Sequence, residues 1–384
     1  MEFGLSEEEM MIRGMAARFA EQEAARRAAV LDEAERFDRQ SFDEMAALGF
    51  TALPWPEEDG GAGGGFVSFA LVLQELSRVS ASLGAALWAH LFLAAWPLVR
   101  FGSAEAKEAY LGSLIDGRLP SAGVLPGAAV GGSQLRVGVT AKRDGDSYLL
   151  EGQQKYVPGG AHGELFIIYA ETAGEPGTSG RGRYNAFILE KNCPGLVIQP
   201  VVKKLGLRAA GMAHLSFEGC RIPKAHRLGG EGQGRAIARR ASTGVRYGLA
   251  AVAAGIAQGA LDAALGYAQE RAQFGKPIAK HQAIAFLLAD MKTAADAAGL
   301  LACQAAWRED EGLADEGTSA LALSFAADAA MANGIHAVQV YGGYGYMKEY
   351  PVERCMRDAK TVQIFKELDL AASQPRTGRG RRRG

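Results

Sequence analysis

Cysteine is scarce in this 384-residue chain, and its four thiols, Cys193, Cys220, Cys303 and Cys355, show no C-x-x-C spacing. That excludes a zinc ribbon and argues against a disulfide framework, so the cysteines read as reduced and structural. Histidine is also sparse: His281 belongs to a longer motif, and His90, His162, His214, His226 and His336 lack metal-ligand spacing. No elbow motif points to a Ser-His-Asp hydrolase. An excess of one charge is missing too, with 42 Lys and Arg against 43 Asp and Glu and a formal net charge of −1. A general nucleic-acid binder is therefore disfavoured. The stretch Met1 to Glu9 is acidic and lacks the positive start and apolar run of a secretory leader, so the chain reads as cytoplasmic. The run from Val79 to Val99 carries no Asp, Glu, Lys or Arg and is about the length of a membrane span. That run carries Ser80, Ser82, Gly84, His90 and Pro97 and stands alone in a polar chain. A helix buried among other helices is expected there rather than a membrane segment.

What is present is an ordinary globular composition, 48% hydrophobic, on a chain long enough for two or three packed units. Residues 1–120 carry helix-start signals: Ser6 with Glu9 and Ser41 with Glu44 read as capping boxes, and an amphipathic helix starts near Ala104. From Ser121 to about residue 230 the pattern changes to short apolar runs such as Leu165–Tyr169 and Ala186–Leu189, bounded by Gly, Pro and polar clusters. Thr172 to Arg183, dense in Gly and Ser, reads as an exposed hairpin loop between strands. Over residues 231–372 helical periodicity returns, with Ile284, Leu287, Leu288 and Met291 on one face and an Ala- and Gly-rich helix around Leu249 to Leu265 that neighbours can approach closely. Residues 373–384 form a basic, Gly-rich tail with no means of packing. The order is helices, strands, helices, an α+β class. Alternating βαβ units are missing, which disfavours a nicotinamide-binding doubly wound sheet.

Two glycine-rich segments differ in meaning. Asp59 to Gly65 follows no predicted strand and lacks the Lys-Ser/Thr of a phosphate loop, so it reads as a turn between helices. Gln339-Val340-Tyr341-Gly342-Gly343-Tyr344 combines an amide, a tight glycine turn and aromatic surface, which lets a planar phosphorylated cofactor approach the backbone. Together with Arg271-Ala272-Gln273-Phe274-Gly275-Lys276-Pro277-Ile278, His281-Gln282-Ala283-Ile284 and Glu349-Tyr350-Pro351-Val352-Glu353-Arg354, it resembles the flavin-dependent acyl-CoA dehydrogenase family. The likeness runs from about Phe3 to Phe365 and includes Lys204-Leu205-Gly206-Leu207-Arg208 and Leu215-Ser216-Phe217-Glu218-Gly219.

That resemblance implies an N-terminal helical domain, a middle β-barrel or sandwich domain and a C-terminal four-helix bundle, assembled as a homodimer or homotetramer. FAD would lie between domains and subunits. Arg271 and Phe274 would meet its pyrophosphate, and Gln282, Gln339, Gly342 and Gly343 would complete the site. The implied substrate is an acyl-CoA or acyl carrier protein thioester, and the implied electron acceptor an electron-transfer flavoprotein. Family members remove the α-proton with a Glu, but the aligned position here is Lys366, in Gln363-Ile364-Phe365-Lys366-Glu367-Leu368. Glu367 is rotated from it by about 100° on a helix. A second position used by some members is Val245, beside Arg246. The strand residues that touch the flavin ring have become Tyr156 and Pro158, and the thioester loop has become Val124 to Ser133. Ser133, Arg246 and Phe365 are carried over as substrate-side residues, and Lys366 with Glu367 as the catalytic pair. Lys366 would act as a base if desolvation lowers its pKa, or would anchor a negative substrate group or an anionic flavin. The expected function is α,β-dehydrogenation of an acyl thioester or a variant of it. The rivals are oxygen-dependent oxidation or hydroxylation, and a non-catalytic subunit that binds FAD or acyl chains.

Overall fold

The computed structural model describes residues 4–125, 138–172 and 183–373. The tail beyond Ser373, most of the Thr172 to Arg183 loop and the greater part of the Val124 to Ser133 segment, Ser133 included, lie outside the described residues.

The N-terminal helices are α1 (Glu7–Phe19), α2 (Ala25–Ala34), α3 (Arg39–Ala47), α4 (Gly65–Val79), α5 (Ala81–Trp88), α6 (Trp96–Phe101) and α7 (Ala104–Ile115). The Ser6–Glu9 box forms as expected: the Glu9 amide donates to Ser6 Oγ at 3.1 Å and the Ser6 amide to Glu9 Oε2 at 2.7 Å. The Ser41–Glu44 box does not. Asp38 is the N-cap of α3 and accepts from the Ser41 amide at 2.9 Å, because its short carboxylate reaches the third helical amide first. Glu44 is left to pair with Arg27. From Ala81 to Val99 the uncharged run is buried in the protein interior, and Arg100 marks its return to the surface. Helix α4 has no side-chain cap of its own; the Asp310 carboxylate accepts from the Phe66 and Val67 amides at 2.7 and 3.0 Å.

The middle strands form one mixed sheet in the order β6-β7-β3-β2-β4-β5-β8, with β1 (Ser121–Gly123) parallel to β4. Their ranges are β2 (Gly138–Asp144), β3 (Ser147–Val157), β4 (Leu165–Thr172), β5 (Arg183–Glu190), β6 (Leu196–Pro200), β7 (Ala213–Pro223) and β8 (Arg227–Leu228). The described strands do not close into a barrel. Thr172 pairs with Arg183, as a hairpin requires.

Four helices complete the chain: α8 (Gly234–Glu270), α9 (Gln282–Asp310), α10 (Glu316–Tyr341) and α11 (Val352–Ser373). Small residues let α8 sit against α4: a Cβ on Gly255 would lie 2.3 Å from the Gln74 carbonyl, and one on Gly259 2.1 Å from that of Arg78. All three regions meet at α11. Arg357 reaches Asp32 at 2.8 Å, Glu353 at 2.6 Å and the Leu205 carbonyl at 2.9 Å, while Asp358 accepts from the Leu207 amide at 2.6 Å.

Burial pushes the Asp358 carboxyl up to about 7, against the hydrogen bond from Leu207. The folded chain therefore holds this proton more tightly than the unfolded one. Its contribution to stability is complete below the ordinary 3.8 and is lost as pH rises through about 7. Asp358→Asn keeps an acceptor for Leu207 and removes the titration, so its melting temperature should fall less than the wild type's across that interval. Parallel curves for the two proteins would contradict the assignment.

Candidate flavin cradle and proton-handling position

Helix α8 ends where Arg271 turns to extended backbone (φ −70°, ψ 120°). The next residues form a two-stranded hairpin, β9 (Ala272–Gln273) and β10 (Lys276–Pro277), whose tip residues Phe274 and Gly275 have φ of 53° and 79°. Two successive left-handed residues suit a tight hairpin, though a bulky aromatic rarely adopts that backbone. The turn holds Phe274 out from the surface, 93% exposed. Helix α10 ends beside this hairpin, where Gly342 (φ 61°) breaks the helix.

These two chain ends enclose a cleft of about 590 Å³ lined by Tyr267, Arg271, Gln273, Tyr341, Gly342, Gly343 and Tyr344. A Cβ on Gly342 or Gly343 would meet nothing within 4 Å, so the missing side chains leave open space above the backbone. Among the described residues no carboxylate pairs with Arg271; its guanidinium lies 6.0 Å from the Tyr344 ring centre. Tyr267 and Tyr341 stack at 4.1 Å and form an aromatic wall. Free guanidinium donors, bare backbone and an aromatic wall match a phosphorylated, planar group. Gln282 is the first residue of α9 and Gln339 is on the last turn of α10, both exposed. The structure thus gathers Arg271, Gly342 and Gly343 directly and holds Phe274 on the adjoining hairpin.

Tyr156 and Pro158 belong to the β-domain. Tyr156 is left-handed (φ 56°), half-exposed and sits in a register slip between β3 and β7, with its amide donating to His214 Nδ1 at 3.2 Å. Pro158 is buried just past the end of β3. The start of α8 abuts β5, since a Cβ on Gly234 would be 2.7 Å from the Tyr184 backbone. Arg271 leaves the other end of α8, about 55 Å away for its 37 residues at about 1.5 Å each.

Lys366 is 6% exposed, on α11. Its ammonium donates to Asp328 Oδ1 at 2.7 Å and lies 3.2 Å from Glu367 Oε1. Burial draws its pKa down, but the hydrogen bonds to Asp328 and Glu367 outweigh that, and the net direction is up. Desolvation has not made it a base. Asp328 shows the complementary pattern: burial works upward, and the hydrogen bonds from Lys366 and Gln363 bring its carboxyl below the ordinary value. The Glu367 side chain is 68% exposed against 7% for Lys366, the rotation expected of adjacent helical residues. Phe365 packs partly buried on the core, Val245 is buried, and Arg246 is 4% exposed on α8. Asp328 escaped the sequence reading. It lies on another helix, and no local spacing marks a carboxylate that meets Lys366 only through the packing of α10 on α11.

Comparison with known proteins identifies the family. The models of the acyl-CoA dehydrogenase N-terminal, middle and C-terminal domains match residues 6–118, 129–220 and 232–366. An acyl-CoA dehydrogenase of Bacillus subtilis is 39% identical over 361 residues, 94% of each chain. The chain belongs to the acyl-CoA dehydrogenase family. Among solved structures, butyryl-CoA dehydrogenase from Megasphaera elsdenii superposes with a TM-score of 0.89 at 35% identity, covering 97% of this chain and 98% of that one. A structure described as PigA with FAD and proline does so at 0.87 and 29% identity, covering 96% and 97%. As an acyl-CoA dehydrogenase-like protein, the chain is a flavoprotein oxidoreductase of acyl thioesters.

Proposed function

We propose that the flavin is FAD and that the protein oxidises an acyl thioester without a carboxylate at the family's usual proton-accepting position. The carrying observation is the cleft lined together by Arg271, which has no carboxylate partner among the described residues, and the bare backbone of Gly342 and Gly343. Arg271 would hold pyrophosphate oxygens with its planar fork of donors, and the glycines would let the cofactor lie on the main chain. When bound, FAD supplies a two-electron acceptor. Lys366 holds its proton at Nζ, bound to Asp328 and Glu367, so it is not available to accept a proton from the substrate.

Because the β-domain and the Arg271 cleft attach to opposite ends of α8, we read the cleft as completing a cofactor site on a second copy of the chain. Exposed Phe274, Phe286, Trp307 and Phe325 would be covered in that assembly, a homodimer or homotetramer. An electron-transfer flavoprotein is the proposed electron acceptor, and the acyl carrier is either coenzyme A or a carrier protein. Light scattering should report a particle of at least two chains; a 40.5 kDa particle with one FAD per chain would contradict shared sites.

Arg271→Ala is expected to lower FAD affinity about 10- to 100-fold, through loss of a charge-assisted contact of about 1.5–3 kcal/mol. Flavin absorbance after exhaustive dialysis measures it, and wild-type retention would overturn the pyrophosphate assignment.

A further inference from the structure

Two of the four cysteines come together in the fold. Cys193 occupies the turn between β5 and β6, its amide donating to the Glu190 carbonyl at 3.1 Å and its carbonyl accepting from Leu196 at 3.1 Å. Cys220 lies on β7, fully buried. The turn presses on that strand: Glu218 donates to the Gly195 carbonyl at 2.9 Å, and a Cβ on Gly195 would lie 3.4 Å from the Cys220 nitrogen. Cys193 Sγ is 3.7 Å from the carbonyl oxygen of Arg221, the residue after Cys220, which brings the two cysteines into one neighbourhood of the sheet edge. Cys193, Cys303 and Cys355 are all partly exposed, but the last two stand on the separate helices α9 and α11.

We propose that Cys193 and Cys220 are an oxidative modification site, a dithiol that closes to an intramolecular disulfide by exchange with a low-molecular-weight disulfide. Cys193, the accessible member, attacks one sulfur of the external disulfide. That S–S bond breaks, a mixed disulfide forms on Cys193 and one small thiol leaves. Cys220 then attacks the Cys193 sulfur and releases the second small thiol. Two protein thiols lose two electrons, one external disulfide becomes two thiols, and both protons leave on them. Burial raises both thiol pKa values, that of Cys220 to about 11, so the exchange is slow near neutrality and quickens as pH rises. The bond would tie the start of β6, an edge strand, to β7.

The test treats the full chain, cofactor included, with glutathione disulfide, alkylates the remaining thiols and maps peptides without reductant. The expected result is an intact mass lower by two hydrogen atoms, one cross-linked peptide containing Cys193 and Cys220, and reversal by dithiothreitol. Cys193→Ser should abolish the cross-link while Cys303 and Cys355 stay alkylatable as before. Persistent glutathione on Cys193, a cross-link through Cys303 or Cys355, or four alkylatable thiols after oxidation would overturn the proposal.

Discussion

Lys366→Glu is expected to raise α,β-dehydrogenation of a saturated acyl-CoA by about 100-fold or more, the usual range for gaining a positioned general base. The ammonium of Lys366 has no lone pair to take an α-proton, and its bonds to Asp328 and Glu367 keep it protonated. A carboxylate at this position regains an acceptor. It would also face Asp328 and Glu367 without a cation between them, and like charges at short range raise a carboxyl pKa, so the gained activity should climb with pH. Lys366→Met, which removes charge without adding an acceptor, should give no such gain. Glu367→Gln should change turnover little, since that side chain points largely to solvent. Rates of anaerobic flavin bleaching in the four proteins decide the matter. Loss of turnover in Glu367→Gln with no change in Lys366→Glu would show that Glu367 is the base.

Arg357→Ala is expected to destabilise the protein by about 3–5 kcal/mol, the range for removing one partner of a buried ion pair. The guanidinium is 13% exposed and Asp32 9%, and Asp32 Oδ1 already lacks a partner. Deleting Arg357 strands the Asp32 charge and also frees the Leu205 carbonyl, so the N-terminal helices, the β-domain loop and α11 lose a common tie. Lys348–Glu33, with both side chains mostly exposed, is the control: Lys348→Ala should scarcely move the urea midpoint. Equal midpoints for Arg357→Ala and Lys348→Ala would refute the role of Arg357.

The helix–strand–helix order was legible because periodicity and punctuation are local: the Ser6–Glu9 cap, the short apolar runs Leu165–Tyr169 and Ala186–Leu189, and the stretch around Ile284 each announce themselves within a few residues. The Asp38 cap was missed because two acceptors compete over three residues and only the backbone decides which one reaches the amide. The cofactor cleft was legible through contiguous motifs, Arg271–Ile278 and Gln339–Gly343. Its wall was less so, since Tyr267 joins it only through stacking on Tyr341. Asp328 against Lys366, Asp310 as a cap for α4, and Cys193 beside Cys220 all join distant parts of the chain. No spacing rule reports such contacts before the helices and strands pack.

The most direct measurement is an anaerobic flavin spectrum of the purified wild-type protein, titrated with a panel of acyl-CoA and acyl carrier protein thioesters. Bound FAD and bleaching by at least one thioester is the expected result. A colourless protein that rejects added FAD, or a flavoprotein that no thioester bleaches, would contradict the assignment of thioester oxidation to this chain.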